Sequence, residues 1–289
     1  MRIVTDSGTD LTLTPQEIED LNIRVVPLVV SIGDKTFHEG VDIEPEKFYE
    51  LLVKSEIPAK TSQPPAGEFA RIYEEIASSD PEILSIHMSS GLSGTLNAAV
   101  EGAKMVPQAS ITHIDTKTLS VAAGWQVAAA AKAVKAGWAK DKIISLTERI
   151  SAAADSLYTL KELKYLIHGG RISHLKGLLA SVLGIKPLIG VEKVHGTYAQ
   201  RGQSRTFKRG LAGLVDLMVR QHTEGSEIQV QVCHADNIEG AEELRSLVEK
   251  RFKCTWLPIR RLSLVLGAHT GPTMVGIAFA PAAALSDMP

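Results

Sequence analysis

The chain has 289 residues, 44% hydrophobic and 22% charged, with a formal net charge of −2. That is long enough for two domains with real cores. It holds no apolar run of about 18 residues and opens without a basic-then-apolar leader, so the expectation is no integral membrane segment, no signal peptide and a cytoplasmic location. The charge is uneven: residues 1–150 hold 14 Lys and Arg against 21 Asp and Glu, and residues 151–289 hold 17 against 12. Ten basic residues between Lys161 and Arg209 meet only Glu162 and Glu192. Such a segment is a solvated basic face or a docking site for an acidic partner or a phosphate. Cys233 and Cys254 each sit in an apolar run and read as reduced core residues.

In chain order, Arg2 to Thr5 reads as a strand ending at the polar turn Asp6-Ser7-Gly8-Thr9-Asp10. A helix follows, with Thr14 as N-cap, Pro15 at its first position and Glu17 closing a capping box. Val25 to Ile32 reads as one buried strand, Phe37 to Val41 as a short strand and Glu46 to Val53 as a helix. Thr61 and Ser62 fall in a loop before the prolines and the helix Glu68 to Ala77. Strand Glu82 to Met88 leads into the stretch MSSGLSGTLNAA, and strand Ser110 to Asp115 into a long Ala-rich helix from Leu119. A helix from Lys140 to Ala153 completes a half that alternates strand and helix. That alternation predicts a parallel sheet flanked by helices, carried by residues 1–154.

The second half, residues 155–289, opens with strand Ser156 to Leu160. Leu163 to Ser173 reads as a helix closed by the pair Gly169-Gly170, and Leu175 to Val182 as another. Ile185 to Val191 and Lys193 to Ala199 read as a hairpin, and Arg205 to Gln221 as a helix. Strand Ile228 to His234, helix Glu239 to Lys250 and strand Cys254 to Ile259 follow. His269 falls in a loop punctuated by Gly267 and Gly271-Pro272, before the last strand, Met274 to Ala280. The tail after it reads as loose.

The stretch from Met88 to Ala99 carries the chemistry. Its glycines and the start of a helix turn backbone N–H groups into a shared concavity, and Ser89, Ser90, Ser93 and Thr95 add hydroxyls. No Lys follows Gly94, so it is not a nucleotide P-loop. Taken alone it reads as a Ser/Gly-rich turn capped at Ser93. The turns at Asp6-Ser7, Ser89 to Gly94 and Asp115-Thr116 all follow strands, however. In a parallel sheet they gather at one edge, where ligands bind. Together with Thr61-Ser62 they make an oxyanion receptor.

Catalytic machinery is missing. There is no HExxH, no CxxC, no GxGxxG after the first strand and no GxSxG, so metal and dinucleotide chemistry are disfavoured. Aromatic residues make up 5% and do not interleave with the basic segment, which argues against nucleic acid. His269 between glycines tilts toward a site role. Arg171 is a helix-end cation or the partner of a carboxylate, and Arg205 reads as surface charge.

With IVTDSGTDL, TSQPPAGEF, MSSGLSGTLNAA, IDTKTLSVAAG, LKYLIHGGRIS, LASVLGIKPLI, SRTFKRG and GAHTGP in this order, the sequence resembles the DegV family of fatty-acid-binding carrier subunits of bacterial fatty acid kinase. The resemblance spans almost the whole chain. It implies a two-domain α/β fold, an N-terminal parallel sheet flanked by helices plus a second α/β domain with a mixed sheet. It implies a buried long-chain fatty acid such as palmitate, stearate or oleate, its carboxylate between Thr61, Ser62 and the Ser93-Gly94 loop. Arg171 and His269 match positions in the surrounding network, and Arg205 matches a position that docks the ATP-dependent kinase subunit. The carrier would have no catalytic residue, no metal and no cofactor of its own. The alternative is a stand-alone phosphotransferase or hydrolase using Ser93. Leu178 to Val182 is the stretch offered for the tail tunnel.

Overall fold

The computed structural model describes residues 1–178 and 184–286. The first half runs β1 (Arg2–Asp6), α1 (Pro15–Asp20), β2 (Ile23–Val26), β3 (Val29–Ile32), β4 (Lys35–His38), α2 (Pro45–Lys54), β5 (Lys60–Ser62), α3 (Ala66–Ala77), β6 (Glu82–His87), α4 (Thr95–Ala103), β7 (Ser110–Asp115), α5 (Ser120–Lys135) and α6 (Lys140–Ala153). The second runs β8 (Asp155–Thr159), α7 (Lys164–His168), a kinked 3-10 segment (Arg171–Leu178), β9 (Lys186–Val191), β10 (Tyr198–Ser204), α8 (Phe207–Gln221), β11 (Glu227–His234), α9 (Ile238–Glu249), β12 (Lys253–Trp256), β13 (Arg260–Arg261), α10 (Leu264–Thr270) and β14 (Val275–Pro281).

The fold is α/β, as expected. Strands β2-β1-β6-β7 form a four-stranded sheet, parallel throughout. A seven-stranded mixed sheet runs β10-β9-β8-β14-β11-β12, with β13 also on β11. Alternation along the strands divides the cores. Val4 faces α3 and α4 with Phe69, Ile72 and Ala99. Ile3 faces the large central core shared by both sheets, which also holds Tyr158 and Leu266. Leu157 faces the other way, with Leu211, Leu214 and Leu244 of α8 and α9. Helix α5 is apolar nearly all round and buried on most of its surface, as a helix inside the core must be.

Several expectations need correction. Val25 to Ile32 is not one strand: Pro27 has no N–H to donate, and the chain leaves the parallel sheet there. Val29–Ile32 joins β4 and β5 in a separate antiparallel sheet. Thr61 and Ser62 therefore lie on an edge strand, paired with Val30 and Val29, and not in a loop. Leu163 to Ser173 is two elements, because Gly170 at φ 76° breaks the helix. The hairpin's second strand is Tyr198–Ser204, later than Lys193 to Ala199. The chain after β14 makes a 3-10 turn, Ala282–Leu285. Of the stretch offered for the tail, residues 179–182 lie outside the described residues.

Candidate functional site

Strand order places the site. From β1 the chain moves to β2 on one side, and from β6 to β7 on the other. The crevice at the carboxyl ends of β1 and β6 is the switch point where such sheets accept ligands. The loop leaving β6 is held there by backbone bonds, Ser89 N–H to Thr118 O at 2.7 Å and Ser93 N–H to Ser89 O at 3.1 Å. Ser93 Oγ lies 2.8 Å from Thr95 Oγ1 and accepts from Thr95 N–H at 3.3 Å. The N-cap of α4 is Gly94 itself, with no side-chain cap. Any Cβ on Gly94 would lie 2.8 Å from the Gln63 amide nitrogen, so glycine lets β5 and this loop close on each other.

His269 is on a helix, not in a loop: it occupies the last turn of α10. The flanking glycines serve packing and termination. Gly267 lies against the Tyr49 hydroxyl, and Gly271 ends the helix at φ 73° beside the Tyr165 ring. The start of α10 is tied to the first half. Asp10 Oδ1 accepts from Ser263 N–H at 2.7 Å, and Glu39 accepts from Leu264 N–H and from Ser7 Oγ. So anchored, α10 brings His269 Nε2 to 2.7 Å from Thr61 Oγ1. Burial, reinforced by the Arg171 guanidinium, pushes the imidazole down to about 3, so it is neutral at physiological pH. Its Nδ1 is buried and, among the described residues, has no hydrogen-bond partner; it faces Gly169, where any Cβ would strike the ring. Arg171 donates to Gly169 O at 2.7 Å.

Thr61, Ser62, Gln63, Ser93, Arg171 and His269 line one cavity of about 40 Å³, completed by Leu28, Met88, Leu92 and Val265. A second cavity, about 10 Å³ and lined largely by apolar groups such as Leu160, Leu166, Ile189 and Met274, lies beside it. Leu119, Tyr198 and Leu266 belong to both walls. The smaller space is about the size of one water. The structure thus gathers every candidate head-group residue at one place, with Gly94 behind Gln63 rather than on the wall. Sequence reading missed Gln63, Leu119, Tyr198 and Leu266. Gln63 adjoins Thr61-Ser62 in the sequence; the other three carry no signal beyond being apolar. Arg205 is exposed between β10 and α8, about 20 Å of strand away from Tyr198.

A Ser-His-Asp geometry does occur, but elsewhere. Ser85 Oγ lies 2.7 Å from His87 Nε2, and His87 Nδ1 lies 2.9 Å from Asp6 Oδ2. All three residues are 0% exposed, and Ser85 Oγ is also 2.6 Å from Tyr73 OH. No substrate reaches that hydroxyl, so the arrangement is internal scaffolding. Among the described residues Ser93 Oγ contacts only Thr95, with no imidazole to activate it. The arrangement can hold an anion beside an apolar cavity; the hydroxyl that has an imidazole within reach there is Thr61, with His269, and not Ser93.

A sequence model of the DegV family, described as uncharacterised proteins, matches residues 1–282. A DegV domain-containing protein of Staphylococcus aureus is 34% identical over 281 residues, covering 95% of this chain and 96% of that protein. One from Lactococcus lactis is 33% identical over 274 residues, covering 94% and 96%. Among solved structures, a DegV family protein from Thermus thermophilus described for fatty acid binding has TM-score 0.87 at 26% identity, covering 97% of this chain and 100% of that one. DegV from Bacillus subtilis, a fatty acid binding protein, has TM-score 0.83 at 27% identity, covering 96% and 98%. Among the described residues no helix is long and apolar enough to cross a membrane.

Proposed function

Because the chain belongs to the DegV family, we propose that it binds one long-chain fatty acid and presents the carboxylate to a separate ATP-dependent kinase subunit in the cytoplasm. The observation that carries this reading is a polar cavity lying against an apolar one, with Leu119, Tyr198 and Leu266 in both walls. Palmitate, stearate and oleate are the expected ligands, and the relatives from Thermus thermophilus and Bacillus subtilis are described as binding fatty acids.

Affinity comes from the tail. Each buried methylene contributes about 0.8 kcal/mol, so about a dozen give roughly 10 kcal/mol before ordering costs. Head-group hydrogen bonds contribute about 1 kcal/mol each and set orientation. In the tautomer with the proton on Nε2, the neutral imidazole of His269 donates to Thr61 Oγ1 and leaves the threonine proton for the ligand; in the other tautomer Thr61 donates to the ring. Ser93 supplies a second hydroxyl, and Arg171 balances the charge. A carboxylate so held keeps an oxygen free to attack the γ-phosphorus of ATP on the kinase. The product is an acyl-phosphate for phospholipid synthesis, with ADP leaving. Thr61, Ser62, Ser93, Gly94, Arg171 and His269 serve the head group, and Arg205 serves docking.

Organic extraction of purified protein with mass spectrometry, followed by titration with labelled palmitate, tests the binding. One acyl chain per protein is expected; no extracted acid together with no palmitate binding overturns it. Arg205→Ala should bind palmitate normally and lose acyl-phosphate formation with kinase and ATP. Loss of palmitate binding in that variant contradicts the docking role.

A further inference from the structure

Of the residues that line the head-group cavity, Ser62 and Gln63 are exposed, and the others are buried or half-buried. These two therefore mark its mouth. The wall deepens from there in order: Gln63 is exposed, Thr61 is half-buried and His269 is buried. Gln63 is the first residue beyond β5, and Pro64 follows it. A residue before proline is held extended, so the backbone at Gln63 is set and the side chain alone is free to turn. Its amide lies flat across Gly94. The point that a Cβ on Gly94 would occupy is 2.8 Å from the amide nitrogen and 3.0 Å from both the amide carbon and the amide oxygen. Such face-on contact uses the plane of the amide and none of its edges. Among the described residues no hydrogen bond holds its nitrogen or its oxygen. Two N–H donors therefore stand available at the rim of the cavity.

Resting on the fatty-acid reading, we infer that Gln63 forms a phosphoryl subsite at this mouth: its amide N–H groups donate to the phosphoryl oxygens once the bound carboxylate has become an acyl-phosphate. A carboxylate at Thr61 and Ser93 lies inward of Gln63, so a group added to its outer oxygen projects past the Gln63 side chain. Phosphorylation takes the head group from one negative charge to about two and adds three acceptor oxygens. Hydrogen bonds to charged acceptors of this kind are the stronger ones. The hydroxyls of Thr61 and Ser93 serve the carboxylate, and the neutral carboxamide is left for the group that appears outside them. Lifting the amide off Gly94 gives up van der Waals contact only, because no hydrogen bond has to break. A carboxylate side chain in the same place would meet the phosphate with like charge.

The test needs no kinase, so docking does not enter it. Palmitate and hexadecyl phosphate, a stable alkyl phosphate that stands in for the acyl-phosphate, each displace labelled palmitate from the full chain at about pH 8, where the phosphate is a dianion. The readout is the ratio of the two affinities, with thermal unfolding of each variant alongside. Gln63→Leu keeps the bulk of the side chain and removes the amide, and should shift the ratio about tenfold against the phosphate. Gln63→Glu should shift it further, through repulsion. Either variant decides the matter where the other does not fold. A ratio within about twofold of wild type in a folded variant overturns the inference, since a merely structural or steric role would weaken both ligands alike. So does wild type that binds palmitate and not hexadecyl phosphate. Wild type that fails to bind palmitate overturns the fatty-acid reading itself.

Discussion

Two buried imidazoles, His87 and His269, sit in hydrogen-bonded chains of similar make-up and do different things. His87 has a partner on each nitrogen, Asp6 on Nδ1 and Ser85 on Nε2, and its ring meets Phe69 edge-on at 5.3 Å between centroids. Asp6 also accepts from Gly8 N–H at 3.0 Å and Met88 N–H at 3.1 Å, pinning the loops after β1 and β6 together. Among the described residues His269 has one partner, Thr61, and a second nitrogen with none, and a cavity opens beside it. A polar chain that satisfies itself specifies the fold; one that ends at a hydroxyl facing a cavity can take a guest.

The largest effect should come from breaking the satisfied chain. Asp6→Ala leaves His87 and two buried N–H groups without an acceptor, and should cost about 3–5 kcal/mol in urea unfolding. A cost below about 1 kcal/mol would mean that the His87 chain is not scaffold.

The next effect separates the imidazoles by pH. His269 titrates at about 3 when folded and about 6.5 when unfolded, so the unfolded chain binds the extra proton between those values. Its contribution to stability is intact above about pH 6.5 and is lost as pH falls toward 3. Between pH 6.5 and 4.5 the loss should be about 2 kcal/mol. Urea unfolding of wild type and His269→Gln at both pH values isolates it, and parallel pH curves would count against a neutral buried ring.

A smaller change reaches the ring from behind. Gly169→Ala places a methyl group against His269 and should cost about 1–3 kcal/mol, with weaker palmitate binding as the ring shifts off Thr61. Unaltered binding would detach His269 from the head group. Smallest of all, Ser93→Ala should lower palmitate affinity by about 1 kcal/mol or less. Its yield of acyl-phosphate with the kinase should fall further, because orientation is what the hydroxyl supplies; equal yield would remove Ser93 from the assignment.

Much of this was legible in local chemistry. Thr14, Pro15 and Glu17 form the capping box that their spacing announces. The turns after β1, β6 and β7 gather because parallel strands leave them no other place. What stayed hidden depends on pairing. Pro27 separates two sheets, yet an apolar run alone does not say which neighbour each strand will find. Strand β10 carries the polar run QRGQS, so alternation did not mark it. His269 looked like a loop residue because its glycines suit a turn equally well. Their use against Tyr49 and Tyr165 exists only in three dimensions.

The bond from Thr61 to His269 spans 208 residues. A growing chain completes β5 well before it reaches the helix that supplies the imidazole. Contacts of such long separation form late, after the loops between them have closed. On the proposed reading, the head-group site is therefore complete only once α10 has been made. A ribosome-bound fragment ending before Leu264 carries the hydroxyls with nothing to orient them.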